Sequence, residues 1–277
     1  MNRIASITKR HPLGTFFGLT FALTWAAMVA WLRGGGEDIP WFTFGPMVTA
    51  LIVTALVGGK DGLKALLRRQ VQWRVSIGWY AVAIGLPIAL ELVTVALNVA
   101  LGAHAPAWEG MRPWPTILGM TALYMVFSGP LGEELGWRGF ALPRLLERFA
   151  AHPYGALIAS LILGVIHAAW HLPMFLVGEM DVPSILGTII GAVLVTWLVQ
   201  HTQGSVLLAV LFHAANQNSG RFLSPLFAGA DVIQQHWLKL VVWAIAAIII
   251  VVVAGPARLA RQSAVPAGPI GEPLVTS

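Results

Sequence analysis

The chain has 277 residues, of which 57% are hydrophobic and only 10% are charged, and its formal net charge is +5. Its apolar runs are long enough to cross a bilayer, so the composition excludes a soluble globular protein and indicates a polytopic membrane protein. Cysteine is absent, which excludes disulfides and thiolate metal sites. The positive charge does not indicate a nucleic-acid partner, because basic residues of membrane proteins collect in cytoplasmic loops.

Long apolar segments recur along the whole chain. Eight of them are predicted to span the bilayer: 13–33, 40–58, 77–101, 115–135, 154–176, 183–200, 204–219 and 236–254. The first is expected to be a retained helix rather than a signal peptide, because it is long and lacks a small-residue cleavage site. The predicted fold is an all-α membrane protein, a polytopic bundle of about eight transmembrane helices with an intramembrane cavity.

The distribution of Lys and Arg predicts the orientation of these spans. With the N-terminus inside, twelve basic residues face the cytoplasm: Arg3, Lys9, Arg10, Lys60, Lys64, Arg68, Arg69, Arg74, Arg144, Arg148, Arg258 and Arg261. Four fall outside, with Arg138 set aside: Arg33, Arg112, Arg221 and Lys239. This bias predicts a multi-pass protein of the cell membrane with both termini in the cytoplasm.

The chain is predicted to have three parts. Residues 1–114 hold the first three spans and an amphipathic segment near 60–74 on the cytoplasmic surface, where its basic side chains meet anionic headgroups. Residues 115–220 hold spans four to seven. Residues 221–277 hold the last span and a Pro/Gly-rich cytoplasmic tail that is expected to be disordered.

Three charged residues interrupt the fourth span, in "SGPLGEELGWRGF" at residues 128 to 140. A charge at mid-bilayer costs roughly 2.5–3.5 kcal/mol on insertion scales, so each one needs a partner or a hydrated cavity. Glu134 and Arg138 are four residues apart on a helix and can form a structural ion pair. Glu133 has no such partner, because Trp137 occupies the position four residues later.

Imidazoles and amides interrupt two later spans. His167 and His171 lie in the fifth span, and His213 lies in the seventh. A single membrane histidine is more often a packing residue than a ligand, but ionisable groups in three spans favour a site. Glu133 and His171 are each nineteen residues from residue 152, in the predicted turn between spans four and five, so they lie level. His213 reaches the same depth if that hairpin projects into the cytoplasm, which predicts one cavity open to the inside.

A partly desolvated carboxylate level with two imidazoles is typical of a site that activates water for hydrolysis. A divalent metal such as zinc is the alternative arrangement, with Glu133, His171 and His213 as candidate ligands and the second glutamate as the base. The spacing of "HAAWH" matches the zincin helix only weakly, because alanine replaces its glutamate.

The segments "EELGWRG" and "WHLPMF", followed by a later helix with a histidine, resemble the motifs of the CPBP intramembrane proteases over residues 115–220. That family contains the type II CAAX prenyl endopeptidases and relatives that process bacteriocins or are associated with immunity to them. The resemblance implies that Glu133 activates water together with His171. It also implies that Glu134 and Arg138 hold the geometry of the site, while His213 and a nearby amide stabilise the oxyanion.

Two positions depart from the family motifs. His167 occupies the position of an aromatic residue, so it is either an additional site residue or a substitute for His171. Gln217 stands where the family has Asn or Asp, and the flanking Asn216 and Asn218 are alternative amide donors. The motifs do not explain Glu91 in the third span, which is predicted to pair with a charged site residue, reach a polar face of the bundle or mark a proton path.

The expected function is that of an intramembrane endopeptidase acting on a peptide or a membrane-protein substrate in the lipid bilayer. The alternative is a membrane scaffold or bacteriocin-immunity protein of the same fold that binds a peptide without cutting it. A proton-coupled transporter is less favoured, because two related halves with broken helices are not evident in the sequence.

Overall fold

The computed structural model describes residues 3–35, 41–127 and 129–260, and these form helices joined by turns. The all-α membrane fold predicted from the sequence is therefore confirmed. The tail predicted to be disordered lies outside the described residues.

Twelve α-helices follow one another in the described residues, and we number them in chain order. They are α1 (Arg3–Arg10), α2 (Pro12–Arg33), α3 (Gly45–Gln70), α4 (Ile77–Ala100), α5 (Trp114–Phe127), α6 (Pro130–Glu134), α7 (Leu142–Arg148), α8 (Gly155–Trp170), α9 (Leu172–Leu176), α10 (Val182–His201), α11 (Val206–Leu223) and α12 (Ala230–Ala254). A π-helix, Leu135–Ala141, joins α6 to α7.

The connections gather at two ends of the bundle. One end, which we call the basic end, comprises residues 3–11, 59–76, 149–154, 202–205 and 255–260. It is held together by hydrogen bonds such as those from Ser205 Oγ to the Gln72 carbonyl oxygen and from Ala156 N to the Ala257 carbonyl oxygen. The opposite end includes residues 101–113, 177–181 and 224–229, where Ala107 N donates to the Leu226 carbonyl oxygen. In its described part the chain passes eight times between the two ends, as the predicted spans require.

Not every pass is one long apolar helix. In the described residues, five helices are long and apolar enough to span a membrane: Pro12–Arg33, Trp41–Gln70, Ile77–Ala100, Val182–His201 and Ala230–Ala254. Helix α8 is apolar but shorter. The spans predicted over 115–135 and 154–176 are not single continuous helices, because each of these passes is broken.

Both breaks have a local cause. After α5, Gly129 adopts φ +119°, a left-handed conformation that favours glycine, and Pro130 starts the next helix. After α8, the helix breaks at His171 because Pro173 has no N–H to donate to the Ala169 carbonyl oxygen and its ring would clash with that group. The fourth pass therefore consists of α5, α6, the π-helix and α7 in succession. Both breaks lie next to the polar residues that the sequence singled out.

The amphipathic segment predicted at 60–74 is helical as far as Gln70 and continues α3 across a kink at Gly59 (φ 57°, ψ −147°). This segment packs on the protein as well as exposing basic side chains. Leu66 is buried, and Arg69 Nη1 donates to the Gly139 carbonyl oxygen at 3.3 Å. That its exposed side contacts anionic lipid headgroups stays a prediction.

The π-helix is the centre of the core, and all seven of its residues are buried. Helix α3 passes so close that a Cβ added to Gly136 would lie 2.6 Å from the Pro46 carbonyl oxygen. Phe16 packs against Trp137 and Phe140 from the side of α2, with ring centroids 5.6 and 4.8 Å away. π-helical turns are rare and are concentrated at functional sites, so this turn favours a functional role for residues 135–141.

Glu91 pairs with α12 rather than with a residue of the predicted site. Its fully buried carboxylate accepts a hydrogen bond from Gln235 Nε2 at 3.0 Å, and Lys239 Nζ lies 2.7 Å from its other oxygen. Glu91 thus has a charged partner, but that partner is not the site residue that the sequence offered as an alternative. This ion pair joins α4 to α12 inside the bundle.

We expect Lys239→Met to destabilise the protein by about 3 kcal/mol, because it leaves the Glu91 carboxylate buried without a counter-charge. Glu91→Gln should cost less, since Lys239 keeps a quarter of its side chain exposed and can extend toward water. The double variant should recover part of the loss, and unfolding in mixed micelles measures all three. If the two single variants lost equal stability and the double variant lost the sum of both, Glu91 and Lys239 would not be coupled and this prediction would be wrong.

Candidate active site

Glu133 and His167 form the first contact of the site. Helix α6 presents the buried Glu133 carboxylate toward α8, and its Oε2 lies 2.9 Å from His167 Nε2. A carboxylate oxygen accepts, so His167 donates its Nε2 hydrogen to it. Glu133 therefore receives from a distant helix the partner that its own helix does not supply.

His171 lies beside this pair, in the turn between α8 and α9. Its ring centroid is 4.9 Å from that of His167, and its Nδ1 is 3.1 Å from the His167 carbonyl oxygen. A carbonyl oxygen can only accept, so Nδ1 carries the hydrogen and Nε2 of the neutral ring keeps a lone pair. This is the arrangement by which proteins orient an imidazole as a base or as a metal ligand.

Glu134, Arg138 and His213 form a second group. The predicted pair is present, with Arg138 Nη1 donating to Glu134 Oε1 at 3.0 Å, and both side chains are buried. The same oxygen accepts a hydrogen bond from His213 Nδ1 at 2.8 Å. The structure thus brings His213 into direct contact with Glu134. This contact uses Nδ1 and leaves Nε2, the other ring nitrogen, outside it.

One set of ligand atoms in the described residues is spaced for a metal ion. Atoms of Glu133, His167 and His171 all lie within 4.8 Å of one another. Two imidazoles and one carboxylate are a donor set that suits zinc, and the orientation of His171 agrees with a ligand role. The sequence proposed His213 as the third ligand, whereas this set contains His167 in its place.

Indole rings enclose the two groups. Trp137 lies over His167, with centroids 4.9 Å apart and planes inclined by 34°. Trp170 packs edge-on against His171 and donates from Nε1 to Thr24 Oγ1 of α2. Buried rings on several sides restrict access of water to the carboxylate, which strengthens its electrostatic interactions.

The amides of α11 occupy different environments. Asn218 Nδ2 donates to the Ala214 carbonyl oxygen at 2.8 Å, within its own helix. Gln217 Nε2 lies on the side of Glu133, because a Cβ added to Gly129 would be 2.5 Å from Glu133 Oε1 and 4.0 Å from Gln217 Nε2. Of these two amides, that of Gln217 is the one placed beside the carboxylate.

The sequence motifs favour His171 over His167 and do not indicate Thr24 or Trp170. The signal for His167 was its spacing four residues before His171, which places both imidazoles on one helix face. No sequence signal indicated Thr24, since threonine is common in membrane helices. Its contact with Trp170 depends on the packing of α2 against the turn after α8.

Comparison with known proteins gives two findings. Residues 114–218 match the family described as type II CAAX prenyl endopeptidase Rce1-like. Over 139 residues the chain is 29% identical to CAAX prenyl protease 2 of Methanococcus maripaludis. This alignment covers 45% of the present chain. The chain spans about half the length of that relative, 49%. The family match contains every residue of the two groups described above, so the segment that holds both groups is similar to the type II CAAX prenyl endopeptidases.

Proposed function

We propose that this protein is an intramembrane endopeptidase in which Glu133 activates a water molecule to hydrolyse a peptide bond. The observation that carries the proposal is the contact of the buried Glu133 carboxylate with His167, beside a second imidazole whose Nε2 keeps a lone pair. A buried carboxylate hydrogen-bonded in this way is suited to general-base chemistry.

In the proposed reaction, Glu133 accepts a proton from water while the water oxygen attacks the scissile carbonyl carbon. His167 and His171 orient the carboxylate and the water. The His213 ring, as an imidazolium, donates from Nδ1 to Glu134 and from Nε2 to the developing oxyanion, which the Gln217 amide also stabilises. Glu133 then gives its proton to the leaving amine as the C–N bond breaks, which restores the carboxylate and releases two peptides.

The donor set Glu133, His167 and His171 also fits a divalent metal ion such as zinc. When bound, such an ion would supply Lewis acidity and lower the pKa of a coordinated water. Glu134 is the neighbouring carboxylate that could then serve as the base. Its bonds to Arg138 and His213 would fix its orientation.

The test is cleavage by the whole chain in proteoliposomes. Substrates would include a peptide library, candidate membrane proteins and a prenylated CAAX peptide, chosen because the archaeal relative carries that name. Cleavage by the parent protein supports the proposal, and its response to a chelator and to added zinc decides whether a metal takes part. Binding of peptides without cleavage of any of them would instead favour the scaffold or immunity function.

Gly129 provides a sharper test of the position of Glu133. A Cβ here would meet Glu133 Oε1 at 2.5 Å, and because this atom ends a flexible side chain, the carboxylate would move rather than the backbone. We expect Gly129→Ala to reduce kcat at least about tenfold, since misplaced catalytic groups cost up to about 100-fold. Cleavage assays on folded protein measure this loss.

The matched control is Gly102→Ala, at φ +102° with open space around the added Cβ. Both variants strain the backbone, by roughly 1–3 kcal/mol, but only Gly129→Ala meets the carboxylate. If the two variants retained equal activity, the proposed position of Glu133 in the reaction would be wrong.

We also propose that the basic end faces the cytoplasm, because the predicted inside charges gather there. The absence of native cysteine makes single-cysteine labelling in intact cells clean. A membrane-impermeant maleimide should label Ala105→Cys at the opposite end, and should label Ala151→Cys only after permeabilisation. The reverse pattern would refute this orientation.

A further inference from the structure

A cleft at the basic end lies where the first span begins. Residues 10–14 line one side of it, and Arg144, Glu147 and Arg148 of α7 line the other. The cleft is open to the surface and has a volume of about 530 Å³. It contains none of the residues assigned to the proposed active site.

The charge of the cleft is unbalanced. Arg10, Arg144 and Arg148 line it, and Glu147 is the single carboxylate among the lining residues. Burial and the positive charge of nearby Arg69 lower the pKa of Arg144 to about 10, and Glu147 opposes this only in part. Arg144 therefore stays charged at neutral pH, and its charge is repelled by that of Arg69. An anion in the cleft would relieve this repulsion.

Arg144 is held in place before any ligand arrives. Its Nη1 donates to the Phe140 carbonyl oxygen at 2.7 Å, and its guanidinium carbon lies 3.6 Å from the centre of the Phe140 ring. That hydrogen bond uses one of the five N–H donors of the guanidinium. A fixed, half-buried guanidinium loses little conformational freedom when it binds a ligand.

We propose that this cleft binds a phosphate group, carried either by the headgroup of an anionic phospholipid or by a free phosphate ion. Guanidinium groups match phosphate oxygens with paired hydrogen bonds, and three of them line the cleft. The cleft lies at the start of α2, where a membrane-spanning helix reaches the level of the headgroups. Leu13, which also lines the cleft, offers apolar surface to the acyl chain of a lipid.

A bound phosphate would connect the N-terminal helices to the segment that carries the site. Arg144 donates to Phe140 and Arg69 donates to Gly139, and both acceptors belong to the π-helix that contains Arg138. The ligand would therefore bridge the start of α2 and the end of the fourth pass. We expect it to raise the thermal stability of the protein.

Binding to the delipidated full-length chain in detergent micelles tests the proposal. Phosphatidylglycerol, phosphatidylcholine and inorganic phosphate are titrated separately, and native mass spectrometry and the melting temperature report binding. Arg144→Gln and Arg148→Gln should each weaken binding of phosphatidylglycerol by about tenfold. The control is Arg74→Gln, an exposed arginine at the same end that lies over Trp73, which should stay within about twofold of the parent.

The three ligands separate the possible sources of the phosphate. Tight binding of phosphatidylglycerol with weak binding of inorganic phosphate supports a lipid, and equal stabilisation by inorganic phosphate supports the free ion. The proposal would be overturned if neither phosphatidylglycerol nor inorganic phosphate bound. It would also be overturned if both cleft variants bound phosphatidylglycerol as tightly as the parent protein. Arg148 is exposed, so its variant keeps the test valid if Arg144→Gln fails to fold. Neither readout depends on proteolysis, so the result is independent of the proposed function.

Discussion

Glu133→Gln should lower kcat/KM by about 10³-fold, within the range of roughly 10²–10⁴ that a general base contributes. The amide has nearly the shape of the carboxylate but cannot accept the proton of the attacking water. Its oxygen can still accept the hydrogen bond from His167 Nε2, so the fold should persist. Initial rates in proteoliposomes, compared with the melting temperature of the same samples, measure both effects.

The matched control for this change is Glu109→Gln, which makes the same substitution at an exposed carboxylate at the opposite end. It should leave both the rate and the melting temperature unchanged. Full activity of Glu133→Gln would refute the proposed mechanism. A loss of activity accompanied by unfolding would place Glu133 in the structure rather than in the reaction.

Arg138→Met should destabilise the protein by about 3–5 kcal/mol, because removing one partner of a buried ion pair leaves the other charge uncompensated. Glu134 would keep only the hydrogen bond from His213 at the oxygen that now accepts two. Both side chains of the pair are at least 95% buried, so solvent cannot replace the guanidinium. Unfolding in mixed micelles measures the loss.

Two further variants complete this test. Arg112→Met removes an exposed arginine and should change the free energy of unfolding by less than about 0.5 kcal/mol. The double variant Glu134→Gln/Arg138→Met should recover part of the stability, because no charge then remains unpaired. Unchanged stability of Arg138→Met would show that the pair does not hold the site together.

The elements predicted from the sequence were those that depend on local spacing. The Glu134–Arg138 pair could be predicted because residues four apart meet on one helix, whatever surrounds that helix. The turn after the fourth pass was likewise placed near residues 150–153, where α7 has ended and α8 has not begun. The helix break at His171 could have been predicted from Pro173, because proline cannot donate a hydrogen bond inside a helix. The long apolar run around it instead favoured one continuous span.

The partners across helices could not be predicted in the same way. Depth along a helix follows from counting residues, and this correctly brought Glu133 and the later histidines to one region. Which imidazole touches which carboxylate depends also on the rotation of each helix about its axis, which side-chain packing sets. For this reason the structure, and not the sequence, placed His167 on Glu133, His213 on Glu134 and Lys239 on Glu91.

By itself, the sequence determined that this is a polytopic membrane protein with a buried Glu–Glu–Arg motif and histidines in two later spans. The length of the apolar segments and the distribution of Lys and Arg are sums over many residues, so these predictions do not depend on any single contact. Only the tertiary structure decided that the motif straddles α6 and a π-helix, that one carboxylate faces two imidazoles and that the other joins Arg138 to His213. These features arise because close helix packing at glycine positions fixes orientations that no local pattern encodes.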